Sequence, residues 1–420
     1  MMSTLLILSL LSQVTEPPST VLKPMYIFDG TSRQMRSNWI VIVRGEKIAE
    51  MGPASDLKIP NEAKVIDLPQ MTLLPGLIDA HSHLLLHPYN ETSWEEQVLK
   101  EPLALRVCRA TNHAKATLLS GFTTLRDLGT EGAGYADVGL KQAIQQGIIP
   151  GPRLLVTTKA IVATGTYAPK GFAPEVLIPQ GAEEADGNNL VKVVRDQISH
   201  GADWIKVYAD YRWGPKNEAQ PTFSIEELKL IVDTAASSGR KVCAHATSKE
   251  GMRRAALAGV ATIEHGTDGD VEAFRLMASK NVALAPTLAT TEAMYRYRHP
   301  AYNPDKDPEP EPLKAQRAVF KSAIEAGVTI ICGSDVGVFT HGTQSRELEL
   351  MHKYGMQPIV VMRAATTTNA KVLGIDDQVG AVKPGLLADL IAVEGNLFSG
   401  LTTLRQVKFV MKSGKVYKQP

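Results

Sequence analysis

Cysteine is scarce in this chain of 420 residues: Cys108, Cys243 and Cys332 are odd in number, far apart and nowhere spaced Cys-x-x-Cys. That excludes a disulfide framework and a thiolate zinc knuckle, and the three read as reduced, buried thiols. Excess charge is missing too, because 45 Lys and Arg meet 44 Asp and Glu for a formal net charge of +1. Such a balance offers no field to nucleic acid or an anionic membrane surface, so neither is expected as a partner. Beyond the N-terminus no apolar run is long enough for a membrane helix. The run TLLILSLL at 4–11 is itself too short to span a bilayer. It has about the length of a signal-peptide core, yet no Lys or Arg precedes it and no small-x-small site follows before QVTEPPS at 13–19. Residues 1–21 therefore stand between a signal-like segment and an ordinary apolar one, and the compartment is open. Finally, no Gly-rich phosphate turn follows the first central strand, which counts against an open doubly wound sheet, the runner-up architecture.

What is present falls into two textures. Residues 22–74 and 380–420 read as short strands with turn signals such as Asp29-Gly30, Arg44-Gly45 and Ser413-Gly414, and predict a small β-sandwich domain built from both ends of the chain. Residues 75–379 switch to strand followed by helix. Strands are expected at 77–83, 123–127, 153–157, 204–207, 242–245, 262–265, 282–285 and 329–332. Helices fall between most of them, among them 224–238, opened by Ser224 with Glu227 three residues later, and 249–258, stopped by Gly259. Eight such units predict an α/β fold of the (β/α)8 TIM-barrel type, with its site at the C-terminal ends of the strands.

The strand-end rule then acts as a filter. In LIDAHSH at 77–83 the period of two puts Asp79, His81 and His83 on one face. Lys206 lies in DWIKVY, His245 and His265 end their strands, and the eighth runs into Ser334-Asp335. Singly, each has a structural explanation: a solvated lysine, a hydrogen-bonded core histidine, a helix cap. Four histidines, a lysine and an aspartate on one barrel face point instead to a metal centre. Asp79 is placed to orient the two histidines beside it; Glu264, next to His265, should face away from it in a supporting or packing role. Cys243 reads as a packed thiol.

These motifs, with the ending GAVKPGLLADL at 380–390, resemble the metal-dependent amidohydrolase superfamily over nearly the whole chain from about residue 23. Within it they resemble the imidazolonepropionase-like and Xaa-Pro-dipeptidase-like branch. AIVATGTYAPKGFAP at 160–174, QGAEEADG at 180–187 and ADWIKVYADYRWGP at 202–215 look closest to members that hydrolyse the mycotoxin ochratoxin A. The resemblance implies two zinc ions: His81, His83 and Asp335 at one, His245 and His265 at the other, and Lys206 bridging them as a carboxylated lysine. A plain ammonium would be repelled there, whereas a carbamate is a bidentate anion. Asp335 would carry a proton from the attacking water to the leaving amine. The expected reaction is hydrolysis of the amide of an N-acyl or peptidyl aromatic amino acid, ochratoxin A included. A Xaa-Pro-type dipeptidase, a cyclic-amide hydrolase or deaminase, and a metal-free binding barrel are the alternatives. The resemblance also implies a homo-oligomer, with an octamer among the forms it suggests.

Substrate contacts must come from loops after the strands, and Tyr167, Tyr208, Tyr211, Arg212, Trp213 and His341 are the candidates, able to clamp a carboxylate and stack a ring. Where many relatives carry Gly-Gly-His-Gly, this chain has Thr164-Gly165-Thr166-Tyr167. The Pro-rich insert at 299–312 is expected to be a solvated loop.

Overall fold

The computed structural model describes residues 19–420; the apolar run at 4–11 lies outside them. The alternation of strand and helix is realised as parallel strands β1 (Leu77–Ser82), β2 (Phe122–Asp127), β3 (Arg153–Val156), β4 (Trp204–Tyr208), β5 (Lys241–Ser248), β6 (Thr262–Asp268) and β7 (Ala283–Ala285). Every residue of β1, β2 and β4 is buried, as strands covered on both faces require. β1 to β3 form one sheet, and β4 to β7 lie side by side in a second that also holds the short pieces Ile161–Val162 and Glu183–Glu184.

Single backbone bonds join the two sheets. On one side Asp203 N donates to Val156 O at 2.8 Å; on the other Ala80 N donates to Cys332 O at 2.9 Å, and Ile330 bridges to Leu284. The eighth strand expected at 329–332 is reduced to that bridge. Its bonds to β7 and β1 are isolated because the chain then turns at Asp335, whose φ is 63°. The local signals acted as their chemistry dictates: Ser224 and Glu227 form a capping box on helix Ile225–Ala236, and helix Lys249–Ala258 stops at Gly259, φ 90°. The insert runs without regular structure to Pro310, where helix Glu311–Glu325 takes its last residues.

The small domain unites the termini. Lys64–Pro75 pairs parallel with Ser19–Ile27 on one side and antiparallel with Leu390–Glu394 on the other. The expected sandwich is thus hydrogen-bonded as one sheet of eight strands, since that long strand joins the N-terminal and C-terminal groups directly. Its alternation serves two cores, Leu22, Val41 and Val43 on one face, Val21, Ile40 and Ile42 on the other. The first strand begins at Ser19, inside the segment that the sequence left unassigned. Cys243 and Cys332 are buried, but Cys108 is exposed, on the outer side of helix Leu103–Leu119; all three are free. No helix among the described residues is long and apolar enough to cross a membrane.

Candidate active site

The carboxyl ends of β1, β4, β5 and β6 and the turn at Asp335 converge. His81 Nε2 and His83 Nε2 lie 3.4 and 3.3 Å from one oxygen, Asp335 Oδ1. The imidazoles continue as a chain, with ring centroids 5.4 Å apart for His81 and His83, 5.0 Å for His81 and His265, and 4.5 Å for His265 and His245. Lys206 is 1% exposed, its Nζ 5.5 Å from the centre of the Tyr208 ring. All six residues singled out as ligands therefore stand together. Burial, and then neighbouring charges that include Lys206, hold His81 and His245 well below the ordinary histidine range and His265 at about 4. Burial also opposes the His83 cation, but Asp335 outweighs it and lifts that ring to about 9. Asp335 itself, pushed up by burial, is drawn well below the carboxylate range by His81, His83 and His265.

Three of the four rings are tied back through Nδ1. His81 Nδ1–H donates to Glu264 Oε2 at 3.0 Å, His83 Nδ1–H to Gly129 O at 3.0 Å, and His265 Nδ1 is bonded to Thr287 Oγ1 at 2.8 Å. His245 Nε2 lies 3.7 Å from Asp210 Oδ1. The opposite nitrogens are thereby left for the site. Such a set of imidazole, carboxylate and lysine donors, rotationally fixed from behind, suits a zinc-type divalent ion.

Two expectations change in detail. Glu264 was to face away from His265, yet both approach His81, because His265 adopts φ 75° and breaks the period of two. Glu264 also accepts from Arg126 Nη2 at 2.8 Å and Thr262 Oγ1 at 2.5 Å, so a buried ion pair stands behind His81. Asp79 touches neither imidazole. It accepts from His81 N at 3.2 Å, Ser334 N at 2.9 Å and Ser334 Oγ at 2.5 Å, fixing backbone and tying β1 to the turn that carries Asp335. Two residues ahead on the strand, it sits a layer below the rings.

Beside the histidines stands an aromatic wall. Tyr208 stacks on His245 at 4.5 Å, Tyr167 lies 4.8 Å from both Tyr208 and Tyr211, and Trp94 lies 5.1 Å from Tyr167. Arg212 and Trp213 are exposed on the hairpin Asp210–Arg212 with Ala219–Pro221. Trp213 is not part of the wall: its indole N–H donates to Gln220 O and Pro221 O at 3.0 and 3.2 Å and pins the hairpin. His341 also lies outside the wall, buried beside His83: its Nε2 donates to Leu86 O at 3.2 Å and its ring stacks on His113 at 4.2 Å, because the loop after Asp335 folds back over helix Leu103–Leu119. Sequence reasoning missed Tyr89, Trp94, Glu131, Arg126 and Thr287. Only Glu131 carried a signal, as an acidic residue in the glycine-flanked turn that follows a strand.

The fold and the family that the sequence matches make this a hydrolase acting on amide bonds. Residues 72–417 match the amidohydrolase family, and the chain belongs to it. Ochratoxinase of Aspergillus niger is 29% identical over 98% of this chain and 89% of its own. Its crystal structure resembles this one with a TM-score of 0.79 over 97% of each chain, at 27% identity. A Xaa-Pro dipeptidase with methionine in its active site is 30% identical, with a TM-score of 0.82 over 95% of this chain and all, 100%, of its own. Imidazolonepropionase of Micrococcus luteus is 22% identical over 83% of this chain and 86% of its own.

Proposed function

We propose that the chain is a binuclear zinc amidohydrolase, built on a closed barrel, that cleaves the amide joining an acyl group to an amino acid, with an aromatic amino acid as the leaving half. The observation that carries the reading is Lys206, fully buried among four imidazoles. An isolated ammonium is costly in such a place, whereas a lysine carboxylated by carbon dioxide answers two cations. His81, His83 and Asp335 would hold one metal, His245 and His265 the other, and Lys206 would bridge them. When bound, the metals would activate water as a nucleophile and polarise the scissile carbonyl. The protein's own part is positioning and proton transfer. Glu264, Gly129 and Thr287 fix three of the rings, and Asp335 Oδ1 takes the proton of the attacking water and returns it to the leaving nitrogen. Tyr208 and Tyr211, backed by Tyr167, form the face against which an aromatic leaving group stacks, and Arg212 at the rim supplies a cation for its carboxylate. Ochratoxin A, an amide of phenylalanine, falls within this class.

The Xaa-Pro dipeptidase reading is the second, favoured by the 30% identity and high structural similarity to that relative. Ranking kcat/KM over C-terminal-Phe, C-terminal-Pro and N-acyl amino-acid amides separates the two; a preference for Pro over Phe selects the dipeptidase. Lys206→Ala should lose most of its zinc and more than ~100-fold in kcat/KM. Full zinc content in that variant removes the bridging role.

A further inference from the structure

The aromatic wall encloses a charge that the reaction above does not use. Glu131 lies in the loop after β2 at φ 49°, 3% exposed. Its Oε2 accepts from Tyr167 Oη at 2.5 Å and from Trp94 Nε1 at 2.9 Å. Both donors are neutral. Arg106 is close enough to feel this carboxylate, but its guanidinium donates to the backbone carbonyls of Leu85, Thr130 and Glu131, at 3.1, 3.1 and 2.8 Å. Among the described residues no cationic side chain stands in ion-pair contact with the carboxylate, and Arg106 and His83 feel its charge only from farther off. A buried anion held by two neutral donors is expensive to keep unless a cation arrives.

The surroundings are those that receive a cation. Tyr167 and Trp94 touch the carboxylate, Tyr208 and Tyr211 pack on Tyr167 at 4.8 Å, and the hydroxyl of Tyr89 feels its charge. A carboxylate set among aromatic side chains favours an ammonium. The position also fits. Tyr167 and Tyr208 are the two rings between Glu131 and His245, and Glu131 Oε1 lies 3.4 Å from the place of a Cβ on Gly129, whose carbonyl holds His83. At the other end of the wall Arg212, whose charge reaches Tyr211 and His245, supplies the opposite sign.

We infer that Glu131, held by Trp94 and Tyr167 with Tyr89 near it, is the subsite for a protonated amine on the acyl half of the substrate. The preferred substrate is then a peptide with a free amine rather than a neutral N-acyl amino acid. This rests on the amide-hydrolase reading and narrows it: ochratoxin A, whose acyl half has no amine, is accepted without this contact.

The test uses the zinc-loaded enzyme and Glu131→Gln on three substrates, Ala-Phe, N-acetyl-Ala-Phe and N-acetyl-Lys-Phe, which separate an α-amine from a side-chain amine. The wild type should favour at least one amine-bearing substrate over N-acetyl-Ala-Phe by about tenfold or more in kcat/KM, chiefly through KM, and Glu131→Gln should bring that ratio near one. A ratio unchanged by the substitution, a wild-type preference for N-acetyl-Ala-Phe, or loss of zinc from Glu131→Gln overturns the assignment. If none of the three is cleaved, the amide-hydrolase reading fails on its own account. Calorimetric binding of the non-cleavable ketomethylene analogues of Ala-Phe and N-acetyl-Ala-Phe then decides: tighter binding of the free amine, lost in Glu131→Gln, upholds the subsite, and equal binding removes it. Should Glu131→Gln not fold, Tyr167→Phe deletes one of the two bonds that place the carboxylate; a preference left intact there also overturns the subsite.

Discussion

Glu264 and Glu131 are both buried glutamates beside the same four histidines, and they are kept in opposite ways. Glu264 has an internal cation, Arg126 at 2.8 Å, a hydroxyl from Thr262 and the Nδ1–H of His81. Glu131 has a phenol and an indole. The first is a closed network, and its output is the fixed angle of one imidazole. The second is open, with aromatic faces and no cation of its own. In this site, how a buried charge is compensated separates the groups that hold the machinery from the group that waits for a ligand.

The largest effect should come from breaking the closed network. Glu264→Ala leaves Arg126, itself without exposure, as a buried guanidinium lacking a counter-ion, an outcome that costs about 3–5 kcal/mol. It also frees His81, so zinc affinity should fall by about 10–100-fold. Thermal unfolding of the metal-free protein and zinc titration measure the two separately. A Glu264→Ala protein with wild-type Tm would mean that Arg126 is compensated from elsewhere, and the contrast with Glu131 would lose its basis.

The six candidate ligands were the legible part. His81, His83, Lys206, His245, His265 and Asp335 could be found from sequence because a strand has a fixed period and a parallel α/β fold a fixed functional edge, so position in the motif determines position in space. The capping box at Ser224 and the stop at Gly259 were legible for a similar reason, since both act over a single turn of chain. What supports the ligands was less so. His265 joins its neighbour Glu264 at His81, far off in sequence, because it takes a left-handed conformation, and no pattern in the sequence announces that. Likewise Asp79 shares a face with the histidines but not their layer. The wall was half legible: aromatic richness marked Tyr167, Tyr208 and Tyr211, but the path of each loop decided that Trp213 pins its own hairpin, that His341 turns toward His113, and that Tyr89, Trp94 and Glu131 come in.

The open side predicts a smaller effect on stability. Glu131→Gln keeps an acceptor for Tyr167 and Trp94 while removing the charge, so the unfolding free energy should change by less than ~1 kcal/mol, or rise slightly. Chemical denaturation of the metal-free variant beside Glu264→Ala gives the comparison directly. Equal losses would place Glu131 in the framework and erase the distinction drawn between the two.

A third buried glutamate sharpens the contrast further. Glu347 sits on helix Ser345–Lys353 and accepts from Ala289 N at 2.7 Å, satisfying the start of helix Leu288–Arg298, whose own cap residue Thr287 gives no side-chain bond. Its other oxygen has no partner. Burial, partly offset by those backbone donors, raises the carboxyl from 4.5 to about 8. The folded chain therefore binds a proton at Glu347 that the unfolded chain has released, and stability should fall as pH rises from about 4.5 through about 8. Asp79 and Asp137, raised by burial to about 7 and about 8, add slope of the same sign. Glu347→Gln removes one contribution, so the decline in Tm between pH 5 and pH 8 should shrink by a few degrees at most, without vanishing. Parallel curves for wild type and variant would mean that Glu347 is ionised in the fold.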